Sequence, residues 1–176
     1  HIAESDRGIV KPVFNISSTQ FMKIISEMNK EVFADSPIFI GGAFNPDLKY
    51  AKSQLKRLEK KMECGATFFL TQPVYSAENI DVIKEARSLG AKILVGIMPL
   101  VSFRNASFLS NEVPGINIPQ EIIERFKPTM TREEGAAVGT EIAAELAKIY
   151  KPYADGFYFM TPFNRAEIVC DVIKRI

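Results

Sequence analysis

Short apolar segments alternate along this chain with longer segments in which apolar residues have a helical spacing. The strand-like segments are 38–40, 67–71, 93–98 and 156–161. Such alternation predicts βαβ units with parallel strands and right-handed crossovers, and the apolar strands indicate a sheet covered by helices. Both a small doubly wound sheet and half of an eight-stranded (β/α)8 barrel fit this pattern. The pattern alone slightly favours the doubly wound sheet, because a barrel typically needs roughly 250 residues.

The length and composition predict one globular domain over residues 1–176. Hydrophobic residues make up 47% of the chain and charged residues 24%, which argues against disorder. A net charge of +1 gives no electrostatic basis for nucleic acid or a membrane as a partner. The start of the chain lacks a methionine and any regular pattern. We therefore expect it to be part of a longer protein.

The scarcity of histidine limits the chemistry that this chain can perform. Its single histidine is His1, which argues against Ser–His–Asp or Cys–His hydrolysis and against histidine-ligated metal. Cys64 and Cys170 are far apart, each in an apolar segment. We expect buried thiols, a reducing cytoplasmic location and no metal site.

Helix starts are marked by three capping boxes, in which a polar residue precedes Glu or Gln by three positions. They are Ser17 with Gln20, Thr131 with Glu134, and Asn164 with Glu167. Two further helices are predicted over 47–64 and 77–89, and an irregular stretch follows Pro99. Gly135 and Gly139 indicate close packing of one helix.

Ligands of parallel α/β proteins bind beyond the carboxyl ends of the strands. Gln72 lies there, with a side-chain amide that suits either a heterocycle or the backbone of its own loop. Arg165 also lies there, where it can bind a carboxylate or remain a surface arginine.

A cationic stripe lies on the predicted helix 47–64. At 100° per residue, Gln54, Arg57 and Lys61 fall along one edge of the apolar face. Such an edge can hold an anionic ligand at the rim of the sheet. The alternative is a solvated basic face, which the pattern alone favours.

Taken together, these segments resemble the methylenetetrahydrofolate reductase family. The resemblance covers nearly the whole chain, in the family's order, and is carried by segments 55–61, 65–72, 96–99, 118–119 and 164–167. The form Thr71-Gln72-Pro73-Val74-Tyr75 is most similar to the reductase half of proteins fused to a homocysteine methyltransferase.

The resemblance implies the later half of a TIM (β/α)8 barrel, with strands five to eight. It implies reduction of 5,10-methylenetetrahydrofolate to 5-methyltetrahydrofolate, with NADH or NADPH as co-substrate and FAD as cofactor. In the family, the proton-donating glutamate lies on the first strand and a key aspartate follows the fourth. Neither has a counterpart here, so we expect no catalytic residue in this chain and no activity from it alone.

Residue by residue, the resemblance implies two sets of contacts. The residues implied to bind FAD are Phe14, Asn15, Asn45, Gln54, Arg57, Lys60 and Lys61. The residues implied to line the folate site are Gln72, Asn105, Leu109 and Arg165. Four of these depart from the family, since Gln54 replaces an acidic residue, Arg57 an amide, Asn105 a glutamine and Leu109 a stacking aromatic.

The expected partners are the folate substrate, the missing first half of the barrel and a second copy of the chain. Two alternatives stay open. The chain could be a non-catalytic half-barrel that only scaffolds or binds, or it could belong to another barrel enzyme with a phosphate-bearing ligand.

Overall fold

A computed structural model describes residues 16–176, and a parallel sheet of four strands lies at its centre. The strands are β1 (Gly41–Phe44), β2 (Phe68–Pro73), β3 (Lys92–Ile97) and β4 (Gly156–Phe159). The α-helices are α1 (Ser18–Glu31), α2 (Ala51–Glu63), α3 (Ile80–Ser88), α4 (Phe103–Glu112), α5 (Gln120–Glu124), α6 (Arg132–Tyr150) and α7 (Ala166–Ile173). Short 3₁₀ helices precede α2, α3 and α7.

The strands are ordered β1-β2-β3-β4, each parallel to its neighbours. Right-handed crossovers that always step in one direction place the connecting helices on one face of the sheet. A doubly wound sheet needs a reversal of the strand order, so the preference drawn from the pattern alone was wrong. The observed order is consistent with a partial TIM-like barrel.

The hydrophobic core lies between the sheet and these helices. Phe69, Ile93 and Val95 point to this side and are fully buried. On β1 and β2 the alternate residues point to the other side, where Ala43 and Leu70 are exposed. The expectation that helices cover the whole sheet was therefore wrong for this face.

The first strand lies further along the chain than the pattern indicated. The main-chain N–H and carbonyl of Ile38 bond to the side chain of Asn29 at 2.8 and 2.9 Å. These bonds tie residue 38 to α1 instead of the sheet, and Phe39 is 86% exposed. The strand begins only at Gly41.

Two of the three capping boxes are confirmed, at Ser17 and Thr131. The third is wrong. Phe163 and Asn164 both have positive φ angles, of 48° and 59°, and Arg165 occupies the N-cap position of α7. Glu167 accepts a hydrogen bond of 2.9 Å from the Arg165 guanidinium instead of capping the backbone.

The stretch after Pro99 contains helices α4 and α5, which the pattern had left irregular. Helix α6 packs closely on the segment that precedes α4, as its glycines indicated. A Cβ at Gly139 would lie 1.6 Å from the Leu100 carbonyl oxygen, and one at Gly135 would lie 2.3 Å from that of Val101.

Cys64 is partly buried and Cys170 is exposed on α7. The expectation of two buried thiols was therefore wrong for Cys170.

Within residues 16–176, no helix combines the length and the apolar character needed to cross a membrane.

Candidate functional site

A groove of about 480 Å³ runs between α1 and α2, beside the edge of β1 that has no partner strand within residues 16–176. Its walls come from the first turn of α1, the end of β1, one edge of α2 and the end of β2. The lining residues are Ser18, Thr19, Ala43, Phe44, Asn45, Gln54, Arg57, Lys60, Lys61 and Gln72. Every described residue that the resemblance implied for FAD lies here, together with Gln72; Phe14 and Asn15 lie outside the described residues.

Helix α2 presents its cationic edge to the groove because its apolar face is anchored on the sheet. Leu55 and Leu58 are buried in the core, which fixes the rotation of the helix. Gln54, Arg57 and Lys61 lie beside that face, as helical geometry predicts. The stripe is therefore part of a concave surface and not an isolated basic face.

Lys61 is the most constrained cation of this groove. Its ammonium donates a hydrogen bond of 2.5 Å to the Ala43 carbonyl oxygen. The carbonyl of Ile40 points towards β2, where it accepts from Thr67. Because carbonyls alternate in direction along a strand, the carbonyl of Ala43 points away from β2, towards the outer edge of β1. Burial lowers the pKa of Lys61, and the nearby Arg57 lowers it further.

The first turn of α1 forms the opposite wall. Its start is fixed by Ser17, whose side-chain oxygen accepts from the Gln20 N–H at 3.3 Å, while the Gln20 side chain accepts from the Ser17 N–H at 2.8 Å. The positive end of the helix dipole thus lies beside the cations of α2. Sequence analysis missed Ser18 and Thr19 as site residues. The capping box placed the helix start along the chain, and no sequence signal placed it opposite α2.

Asn45 and Gln72 bring side-chain amides to the same groove. The Asn45 side chain accepts from the Asp47 N–H at 3.0 Å, which forms a tight turn after β1. Gln72 is exposed and lies where the pairing of β2 with β3 shifts register. Amides supply both donors and acceptors to the polar edge of a ring.

The other residues implied for the folate lie apart from this groove, on the segments that follow β3 and β4. Asn105 is in the first turn of α4, and its amide oxygen accepts from the Val101 N–H at 3.2 Å. Leu109 packs partly buried against the core. The Arg165 side chain is 17% exposed and is paired with Glu167.

A sequence profile of the family described as "Methylenetetrahydrofolate reductase" matches residues 20–176. The chain is 32% identical over 111 residues to methylenetetrahydrofolate reductase 2 of Saccharomyces cerevisiae, which covers 59% of this chain and 18% of that protein. It is 30% identical over 143 residues to methylenetetrahydrofolate reductase 1 of Schizosaccharomyces pombe, covering 76% and 22%. To 5,10-methylenetetrahydrofolate reductase of Escherichia coli it is 26% identical over 129 residues, covering 70% and 43%.

Among solved structures, the chain resembles an uncharacterized protein from Clostridium thermocellum that binds two copies of 5-methyl-5,6,7,8-tetrahydrofolic acid. The TM-score is 0.57 at 18% identity, over 90% of this chain and 57% of that one. At this identity the likeness shows the fold alone. The chain spans less than half the length of the three curated relatives named above.

Proposed function

The chain belongs to the methylenetetrahydrofolate reductase family, and on this premise we propose that it forms part of a flavin-dependent folate reductase site. The reaction is the reduction of 5,10-methylenetetrahydrofolate to 5-methyltetrahydrofolate with NADH or NADPH as the electron source. FAD, when bound, supplies the redox chemistry. The residues of this chain bind, orient and neutralise charge.

The observation that carries the proposal is the concentration of positive charge in one groove. Arg57, Lys60 and Lys61 approach it from α2, and the amino end of α1 approaches it from the opposite wall. Guanidinium groups, ammonium groups and helix N-termini are the groups that bind phosphate. The volume of the groove, about 480 Å³, lies in the range of small-molecule pockets, roughly 300–1,000 Å³.

The donors present in the groove fit a dinucleotide with a diphosphate. Arg57 and Lys61 would hold the diphosphate. Asn45 and Gln54 would offer side-chain amides to the polar groups of the dinucleotide next to the diphosphate. An anion beside Lys61 also favours its charged form, which opposes the lowering of its pKa by burial and by Arg57. The groove is thus suited to a ligand that brings negative charge.

Gln72 is the residue that we assign to the pterin ring of the folate. It lines the groove from the end of β2. A carboxamide can donate to and accept from a pterin edge at once. We assign Asn105 and Arg165 to the more distant part of the folate, because both lie beyond the neighbouring strands.

We further propose that β1 to β4 are strands five to eight of a (β/α)8 barrel. Among the residues that the structure describes, the outer edges of β1 and β4 have no partner strand, and one face of the sheet carries exposed Ala43 and Leu70. The first half of the barrel would then supply the general acid. Loss of a general acid costs on the order of 10²–10⁴-fold, so we expect this chain alone to be inactive.

The test is FAD binding by the full-length protein, followed by flavin fluorescence and by co-elution in gel filtration. Each charge-assisted hydrogen bond contributes about 1.5–3 kcal/mol, and about 1.4 kcal/mol is tenfold in affinity. Replacing Arg57 and Lys61 together with Ala should therefore weaken binding by at least roughly 100-fold.

The matched control replaces Lys52 and Lys56, which lie on α2 outside the groove lining, with Ala. This control removes the same charge and should leave the FAD affinity within about threefold, since exposed charges contribute little. Equal losses in both double variants, or undiminished binding in the first, would reject the proposed flavin site. A protein that binds no flavin at all would favour the scaffold alternative.

A further inference from the structure

A β-bulge lies at the point where Gln72 enters the groove. Leu70 pairs with Leu94, but Pro73 pairs with Gly96, so β2 has one residue more than β3 between these pairs. Thr71 and Gln72 occupy the irregular step. Bulges bend a strand and redirect a side chain, and they are frequent next to active sites.

Thr71 ties the bulge to β3 through its side chain. Its hydroxyl accepts a hydrogen bond of 2.9 Å from the Gly96 N–H and donates one of 2.7 Å to the Gln72 carbonyl. Thr71 is only 1% exposed. The hydroxyl thus satisfies the Gly96 N–H within the irregular step.

Tyr158, from β4, completes this arrangement from the other face. Its hydroxyl donates to the main-chain carbonyl of Thr71, across the intervening strand β3. The side chain can pass over β3 because Gly96 lies beneath it. A Cβ at Gly96 would lie 2.9 Å from the Tyr158 hydroxyl oxygen and 2.9 Å from the Thr71 carbonyl oxygen.

We propose that Tyr158 is a positioning residue for Gln72. The carbonyl of Thr71 and the N–H of Gln72 belong to one rigid peptide plane. A hydroxyl that fixes this carbonyl therefore fixes the plane from which the Gln72 side chain departs. A tyrosine hydroxyl is protonated at neutral pH, and burial raises the pKa of Tyr158 further, so the hydroxyl is available as a donor.

The inference that Tyr158 acts on folate through Gln72 rests on the proposed function, but the bulge itself can be tested without substrate. In the Tyr158→Phe variant the Thr71 carbonyl loses its donor. Hydrogen exchange at the Gly96 amide should then accelerate by about tenfold, since the bulge opens more often. The Ile93 amide of the same strand donates to Asp155 at 2.9 Å and should exchange as in the wild type.

Kinetics of the full-length protein test the consequence for the ligand. Tyr158→Phe should raise the KM for methylenetetrahydrofolate by about tenfold, the effect expected from a displaced hydrogen bond. The oxidation of NAD(P)H by an artificial quinone acceptor should change by less than about twofold, because that step does not use Gln72. In a Gln72→Ala background, Tyr158→Phe should have no further effect on the folate KM.

Tyr75→Phe is the matched control. The Tyr75 hydroxyl also donates to a main-chain carbonyl, that of Met98 at 3.0 Å, but it is not part of the bulge. The Tyr75→Phe variant should change the free energy of unfolding and leave the KM for methylenetetrahydrofolate unchanged. Equal acceleration of exchange at Gly96 and Ile93, or an additive effect of Tyr158→Phe and Gln72→Ala, would overturn the inference. A wild-type protein without folate turnover would reject the proposed function, while the exchange experiment would still decide the role of Tyr158 in the bulge.

Discussion

Lys61 donates a hydrogen bond to the carbonyl of Ala43, a residue 18 positions away on β1, the outermost strand of the described sheet. One ammonium group therefore satisfies an edge carbonyl of the sheet and lines the groove proposed for FAD. The pKa of this ammonium group therefore depends both on the fold and on any anion that binds in the groove.

The pH dependence of stability should report on Lys61. Burial and then Arg57 lower its pKa, so the unfolded chain binds its proton more tightly than the folded chain does. Between the lowered value and the unfolded value of about 10.4, the free energy of unfolding should rise with pH. Lys61→Met should remove this part of the rise, measured by urea unfolding from about pH 8 to 10.5. Lys52→Met, at an exposed position of the same helix, serves as control, and an unchanged slope in Lys61→Met would contradict the prediction.

Gln72→Ala should separate the two half-reactions of the full-length protein. The folate half-reaction should slow, by roughly 10- to 100-fold, because a hydrogen-bonding partner of the pterin is lost. Oxidation of NAD(P)H by a quinone should be nearly unchanged. Stopped-flow measurement of each half-reaction checks this. Equal losses in both would mean that Gln72 supports the flavin or the fold instead.

Asp155→Asn should destabilise the end of the sheet opposite the groove. The carboxylate accepts from the Ile93 N–H at 2.9 Å and from Arg87 at 3.1 and 3.3 Å, and its side chain is 16% exposed. Loss of charge-assisted bonds of this kind costs about 1.5–3 kcal/mol. Asp81→Asn, which breaks an exposed pair with Lys84, should leave the free energy of unfolding nearly unchanged.

The Asp155→Asn variant should also lose part of the acid dependence of the free energy of unfolding. Burial alone would raise the pKa of Asp155, but the bonds from Ile93 and Arg87 outweigh it, so the pKa is lowered. The stabilisation is present above the unfolded value of about 3.9 and is lost as the pH falls through the folded value below it. Wild type and Asp155→Asn should therefore converge in stability at acid pH; parallel acid unfolding curves would refute this assignment.

Gly139→Ala should be destabilising, although alanine favours helices by about 1 kcal/mol. The added methyl group would lie 1.6 Å from the Leu100 carbonyl oxygen, so α6 must move. Overpacking of this kind costs about 3 kcal/mol at the upper end of its usual range. Urea unfolding checks the sign, with the exposed Ala137→Gly on the same helix as a comparison expected to lose about 1 kcal/mol. A more stable Gly139→Ala would show that α6 can shift freely.

The sequence predicted those parts of the site that depend on local geometry. The edge formed by Gln54, Arg57 and Lys61 follows from the helical repeat once the apolar face of α2 is known. The placement of Gln72 at the carboxyl end of a strand was equally local, although β2 runs on to Pro73 and so includes Gln72. The contribution of Ser18 and Thr19 to the groove is not local, because it depends on how α1 packs beside α2.

The errors in the fold have physical causes of the same kind. Ile38 and Phe39 have the composition of a strand, but the Asn29 side chain occupies the main-chain groups of Ile38. Asn164 and Glu167 have the spacing of a capping box, but the positive φ angle of Asn164 places the helix start later. In both places a competing side-chain contact or backbone conformation decided the outcome, and neither is visible in residue types alone.

The order of the strands also bears on how the chain folds. Each strand pairs with the one that precedes it in sequence, so β1, β2 and β3 can associate through crossovers of one α-helix each, one βα unit at a time. Loop closure between near neighbours costs little entropy, and local contacts are associated with fast folding. The connection from β3 to β4 is longer and contains α4, α5 and α6. We therefore expect the docking of β4 to be the slow step of assembly, and with it come Tyr158 and the final shape of the bulge that carries Gln72.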